Sequence, residues 1–141
     1  MKKYLLVAML LIIISLVGCN NKSIDNVKES QQTDMNKATY VQIDMAEAVS
    51  MMENETGYII LDVRTAEEFA DKHIPNAINI PNESIGTKEI AELPDKNQLI
   101  LVYCRSGNRS KQASEKLVAL GYTNVYEFGG IIDWTGETVS E

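Results

Sequence analysis

The chain has 141 residues, which suits one folded domain with additional segments and is too short for two independent cores. Apolar residues make up 45% and charged residues 23%, as is typical of globular proteins. The net charge of −7 at pH 7 argues against nucleic acid as a partner, because proteins that bind it present basic surfaces.

The N-terminal segment has the order of an export signal. Met1-Lys2-Lys3 is a basic start, and an apolar run of 14 residues follows from Tyr4 to Val17. That run is too short to span a bilayer comfortably, but it suits the apolar region of a signal peptide. We therefore predict a signal peptide over residues 1–18. Its removal would take away two lysines and change the net charge from −7 to −9.

The signal ends in Leu16-Val17-Gly18-Cys19, which resembles the lipobox of bacterial lipoproteins. The resemblance implies that Cys19 is acylated and that the protein is anchored by lipid to the cell membrane, on its extracytoplasmic face. The alternative is an uncleaved anchor helix that ends at a cysteine by chance. Residues 19–38 would then be the lipidated cysteine and a polar, flexible tether, and Cys104 would be the one thiol left free.

Residues 39–141 alternate between strand and helix patterns, which predicts a single α/β domain with a parallel sheet and helices on both faces. Capping-box patterns at Asp44 and Thr65 predict the starts of two helices, and Gly121 predicts the end of a third. The apolar run before Cys104 predicts a central strand. Strands are predicted at residues 40–43, 58–63, 77–80, 98–103 and 125–128, and helices at 45–53, 66–72, 89–93 and 109–120, before a final turn with Trp134.

The segment Cys104-Arg105-Ser106-Gly107-Asn108-Arg109 lies between the predicted central strand and the following helix. Ligands of open parallel sheets bind at the carboxyl ends of the strands, and a helix N-terminus there favours negative charge. A thiolate in that place should be stabilised, so the pKa of Cys104 should fall. Two arginines and a glycine make the segment an anion cradle beside a nucleophile. The alternative is a small buried cysteine that ends a strand.

Three blocks of this sequence resemble the rhodanese-like sulfurtransferases. They are Cys104-Arg105-Ser106-Gly107-Asn108-Arg109-Ser110, then Leu61-Asp62-Val63-Arg64-Thr65-Ala66-Glu67-Glu68-Phe69 with the segment from His73 to Pro81, and Gly129-Gly130 with Trp134. The resemblance extends from about Thr39 to Trp134. Lys72 stands where the family often has glycine, which affects a surface turn.

The resemblance implies a sulfurtransferase that uses Cys104 as its nucleophile. The Cys104 thiolate would take the outer sulfur of a thiosulfate-like anion and carry it as a persulfide to a thiol or to cyanide. Arg105 would attract the donor, Arg109 would orient it, and Ser106, Gly107 and Asn108 would complete the binding loop. Asp62 and Arg64 would brace that loop rather than react. No cofactor is implied.

Two other functions share this pattern of residues. Thiol-based phosphatases and arsenate reductases of the same fold place five residues between cysteine and arginine, whereas four lie between Cys104 and Arg109. A binding module that does not turn over is the second alternative, and the complete loop argues against it. We expect His73, the one histidine, to form a structural hydrogen bond. One histidine and one free cysteine cannot supply a tetrahedral metal site.

Overall fold

The computed structural model describes residues 39–141. The predicted signal peptide, the lipidation of Cys19 and the tether lie outside the described residues and stay predictions. Within residues 39–141, no helix combines the length and the apolar character needed to cross a membrane.

Across the described residues, five parallel strands form one sheet. Their order is β1-β5-β4-β2-β3, so β4 is central, as predicted. The strands are β1 (Val41–Gln42), β2 (Ile59–Asp62), β3 (Ile78–Asn79), β4 (Ile100–Cys104) and β5 (Val125–Gly130).

The same part of the chain contains the helices α1 (Met45–Asn54), α2 (Ala66–Asp71) and α3 (Asn108–Ala119). Both predicted N-caps are confirmed. The Asp44 carboxylate accepts the Glu47 N–H at 2.8 Å, and Thr65 and Glu68 exchange side-chain-to-backbone hydrogen bonds in a complete capping box. Short 3-10 helices cover Asn82–Ser84 and Ile131–Asp133.

The fully buried central strand β4 separates two apolar layers. Its alternate residues Ile100, Val102 and Cys104 pack with Ala113 and Leu117 of α3. The intervening Leu101 and Tyr103 pack on the other side with Ala48 of α1. Successive side chains of a strand point to opposite faces, so α1 and α3 cover opposite faces of the sheet. The predicted fold class is confirmed as a single α/β domain.

The predicted helix at residues 89–93 is wrong. That stretch is irregular, with one turn closed by a hydrogen bond from the Leu93 N–H to the Ile90 carbonyl at 3.0 Å. Five residues gain too few hydrogen bonds to offset helix nucleation, and Pro94 disfavours a helical Leu93. The buried Leu93 is held instead by tertiary contacts, including a bond from the Tyr122 hydroxyl to its carbonyl at 2.6 Å.

Two strands extend further than predicted. Strand β4 includes Cys104, which was expected just after the strand, and β5 continues to Gly130. Cys104 pairs with Gly130 across a register shift that follows Val102. Cys104 is therefore held by the sheet itself, and the loop begins one residue later.

Candidate active site

Cys104 is the last residue of the central strand, and only 1% of its surface is exposed. The chain then turns through Arg105 and Ser106 to Gly107, the N-cap of α3. Gly107 has a φ of +96°, a left-handed conformation that glycine adopts without steric cost. This turn directs the Gly107 N–H to the Cys104 Sγ at 3.1 Å.

The loop lowers the pKa of the Cys104 thiol. Burial alone would raise this pKa, but the Ser110 hydroxyl and the backbone N–H groups of Ser110, Ser106 and Gly107 hydrogen-bond to the sulfur and outweigh burial. Donors that stabilise the charged form shift the equilibrium toward the thiolate. The lowered pKa predicted from the sequence is confirmed, while the role of Cys104 as a nucleophile stays a prediction.

The loop backbone lies directly against Gly130 of β5. A Cβ at Gly130 would overlap the Arg105 carbonyl oxygen and lie 2.6 Å from the Ser106 Cα. The Arg105 carbonyl also accepts the Ile132 N–H at 3.3 Å. The segment after β5 thus supports the loop from outside, and this support is possible because position 130 has no side chain.

Arg109 forms a bidentate ion pair with Glu68 of α2. Its Nη1 and Nη2 atoms lie 2.7 and 2.9 Å from the two Glu68 carboxylate oxygens. The hydrogen bonds from Arg109 lower the pKa of Glu68 to about 2, and the pair raises the pKa of Arg109. The Cys104 charge contributes to the Arg109 shift, so the guanidinium lies within electrostatic range of the sulfur. Its predicted role in orienting an anion stays a prediction.

This ion pair makes the stability of the protein depend on pH. The pKa of Glu68 is about 2 in the folded state and has an ordinary value of 4.5. Its stabilising contribution is therefore complete above pH 4.5 and is lost as pH falls toward 2. Glu68→Gln should be less stable than the wild type at pH 6, and the difference should shrink steadily between pH 4.5 and 2. Urea unfolding across this pH range measures it. A difference that does not change with pH would contradict the assignment.

Three of the remaining loop residues lie at the surface of the domain. Arg105, Ser106 and Asn108 are exposed, and the Asn108 side-chain oxygen accepts the Gln112 amide at 3.1 Å. The exposed Arg105 offers a cation to an approaching solute, whereas Arg109 is already paired. The six predicted loop residues thus run from the end of β4 into the start of α3, and the Gly107 N–H contacts the Cys104 sulfur.

Asp62 and Arg64 form a buried ion pair at the end of β2. The Arg64 Nη2 lies 2.5 Å from the Asp62 carboxylate and donates to the Lys72 carbonyl at 2.6 Å. Burial, followed by a hydrogen bond to Asp62, raises the pKa of the Tyr103 hydroxyl. The pair therefore holds the Lys72 turn. The predicted bracing of the loop by Asp62 and Arg64 stays a prediction.

Ser110 and Glu127 belong to the site, although the sequence did not point to either as a site residue. Both are buried, and the Ser110 Oγ lies 2.6 Å from a Glu127 carboxylate oxygen. The available signal was a charged residue inside the otherwise apolar segment from Val125 to Phe128, because a buried carboxylate must be hydrogen-bonded. The signal for Ser110 was its place as the last residue of the block that begins at Cys104 and resembles the family.

His73 takes part in structural contacts. Its Nδ1 lies 2.8 Å from the Phe69 carbonyl, and its ring stacks on Phe69. Its backbone N–H and carbonyl each form a hydrogen bond with the backbone of Val139. In residues 39–141, no group of three or more histidine, cysteine or acidic side chains could hold a metal ion.

A family model described as Rhodanese-like domain matches residues 44–137, about two thirds of the chain. The chain is 41% identical over 73 residues to Thiosulfate sulfurtransferase PspE of Escherichia coli, covering 52% of this chain and 70% of that protein. It is 40% identical over 77 residues to a Sulfurtransferase of Allochromatium vinosum, covering 54% and 70%. It is 38% identical over 99 residues to Adenylyltransferase and sulfurtransferase UBA4 of Candida albicans, covering 65% of this chain but only 23% of that protein.

Solved structures share the fold. A rhodanese with anions from E. coli is 39% identical and superposes with a TM-score of 0.54 over 60% of this chain and 99% of its own. A rhodanese-like domain protein from Staphylococcus aureus is 31% identical, with a TM-score of 0.62 over 72% and 98%.

Proposed function

This chain belongs to the rhodanese-like domain family, and we propose that it is a sulfurtransferase whose Cys104 takes sulfane sulfur from a thiosulfate-like anion and passes it to a thiol. The observation that carries this proposal is the lowered pKa of Cys104 in a loop of inward-facing N–H donors. The named sulfurtransferase activity of two relatives at about 40% identity supports it.

In the first step the Cys104 thiolate attacks the outer sulfur of thiosulfate. The new S–S bond forms as the old one breaks, and sulfite leaves with the electron pair. Exposed Arg105 attracts the dianionic donor to a protein whose net charge is −7. The N–H groups that stabilise the thiolate, including that of Gly107, then hydrogen-bond to the sulfurs of the persulfide.

In the second step an acceptor thiolate attacks the outer sulfur of the Cys104 persulfide. The acceptor leaves as a persulfide, and Cys104 departs as a thiolate that the same donors stabilise. Because thiolate is both the attacking group and the leaving group, a lowered Cys104 pKa serves both steps. Cyanide can replace the thiol and leaves as thiocyanate.

Intact mass spectrometry of the full chain tests the proposal. Incubation with thiosulfate should add the mass of one sulfur atom, and cyanide should then remove it and release thiocyanate. The gain should disappear in Cys104→Ser and persist in Cys19→Ser, the matched control that removes the other of the two cysteines. No sulfur gain, combined with hydrolysis of an aryl phosphate, would exclude sulfur transfer in favour of a phosphatase.

A further inference from the structure

Arg109 is the second residue of α3, and the N-terminal end of this helix contacts the Cys104 sulfur. Gly107, the N-cap of the helix, donates its N–H to the Cys104 Sγ at 3.1 Å. The first turn of α3 contains no acidic residue, so the positive end of the helix and an unpaired Arg109 would act together on an anion. A free guanidinium in this turn would therefore attract an anionic sulfur donor strongly.

Glu68 of α2 opposes that attraction by occupying the guanidinium of Arg109. The Arg109 Nη1 and Nη2 atoms bind different oxygens of the Glu68 carboxylate, at 2.7 and 2.9 Å. A guanidinium uses this same bidentate geometry to bind anionic ligands, so the N–H groups that hold Glu68 cannot at the same time hold a donor. The pair as a whole is neutral.

The position of Glu68 is fixed by the capping box of α2. The carboxylate oxygen that accepts the Arg109 Nη1 also accepts the Thr65 N–H at 3.1 Å, and the Thr65 hydroxyl accepts the Glu68 N–H at 3.2 Å. The side chains of Glu68 and Arg109 are 31% and 26% exposed, so a dissolved anion can reach the pair and compete with Glu68 for the guanidinium.

Arg105 is the other cation of the loop. It is exposed, and neither of the two ion pairs in residues 39–141 includes it. Glu83, in the 3-10 helix Asn82–Ser84, is a second acid near Arg109. The Glu68 hydrogen bond is the main cause of the raised pKa of Arg109, and the charge of Glu83 adds to it. Glu68 is the acid that occupies Arg109 directly, so it is the residue to change.

We propose that Glu68 is a specificity-determining residue, because it holds Arg109 and so limits the preference of the site for strongly anionic sulfur donors. With Glu68 in place, Arg105 is the loop arginine that is open to an anion. A donor then gains less from a second negative charge. The consequence for sulfur donors rests on the proposed function, but the charge selectivity of the site does not.

The test compares neutral iodoacetamide with anionic iodoacetate, two alkylating reagents of similar size, on the full chain with Cys19→Ser so that Cys104 is the sole thiol. Both reagents consume the thiolate, so the ratio of their rates cancels any change in the pKa of Cys104 and reports charge selectivity. Glu68→Gln keeps the length of the side chain and can keep the capping box. It should raise the iodoacetate-to-iodoacetamide ratio by about fivefold at low salt, the effect of one nearby unit charge in water, and by less at high salt.

Three further variants separate the release of Arg109 from a general change in charge. Glu67→Gln is the matched control, because Glu67 is an exposed acid of the same helix turn and belongs to neither ion pair of the described residues. It should change the ratio by less than about twofold. In an Arg109→Gln background, Glu68→Gln should raise the ratio by about twofold or less, because no guanidinium is released. Glu68→Asp, with a shorter carboxylate, should give a smaller rise than Glu68→Gln and replaces it if that variant does not fold.

An unchanged ratio in folded Glu68→Gln, or an equal rise with and without Arg109, would overturn the proposal. Thiocyanate formation gives a second readout, in which Glu68→Gln should lower the KM for thiosulfate by about fivefold and leave kcat near the wild-type value, as expected for tighter binding of the donor. An unchanged KM would also contradict the proposal. If the wild type formed no thiocyanate, the proposed function would fail, and the alkylation ratio would still decide the role of Glu68.

Discussion

Replacing Asp62 with alanine should lower the free energy of unfolding by about 3–5 kcal/mol, the range for breaking one side of a buried ion pair. Asp62 is fully buried, and both of its carboxylate oxygens accept hydrogen bonds from Arg64. The variant would leave the Arg64 guanidinium, itself only 4% exposed, in the interior without its counter-ion.

Urea denaturation at pH 7 measures this loss, with Asp71→Ala as the matched control. Asp71 is an exposed acid at the end of α2, and its replacement should change stability by less than about 0.5 kcal/mol. The double variant Asp62→Ala with Arg64→Met should recover part of the loss, because it removes the stranded charge. A cost below about 1 kcal/mol for Asp62→Ala would mean that the pair does not stabilise the fold.

The sequence identified features that depend on neighbouring residues. The capping box can be recognised from Thr65 and Glu68, which lie three residues apart. The central strand can be recognised from an unbroken run of apolar residues. The lowered pKa of Cys104 was also predictable, because Cys104 and the donors of its loop lie close together along the chain. Local interactions of this kind are fixed by spacing before tertiary packing contributes.

Features that depend on distant residues were not visible in the sequence. Arg109 binds Glu68, 41 residues earlier, and Ser110 binds Glu127, 17 residues later. Nothing in the order of residues indicates which carboxylate reaches which partner. In the predicted helix at residues 89–93, which is short and followed by Pro94, a distant contact also matters, because the bond from the Tyr122 hydroxyl to the Leu93 carbonyl holds this stretch in an irregular form.

These distant contacts converge on the loop after Cys104, and Gly130 is the position where a single added methyl group should disturb it most. Gly130 has a φ of −139° and a ψ of 151°, an extended conformation that alanine adopts without strain. Alanine is unfavourable at this position only because its methyl group has no room. The new Cβ would lie 2.5 Å from the Arg105 carbonyl carbon and 2.6 Å from the Ser106 Cα, and both of these atoms belong to backbone that cannot rotate away.

Gly130→Ala should therefore displace the loop and reduce the rate of sulfur transfer by about a hundredfold, the scale expected when a reacting group moves by about 1 Å. Overpacking should also cost about 1–3 kcal/mol of stability. Thiocyanate formation from thiosulfate and cyanide measures the rate, and iodoacetamide alkylation shows whether the Cys104 thiolate has lost its donors. Gly86→Ala is the matched control, because its Cβ would meet no atom within 4 Å, and it should keep the wild-type rate. If Gly130→Ala transferred sulfur as fast as Gly86→Ala, contact between β5 and the loop would not position the nucleophile.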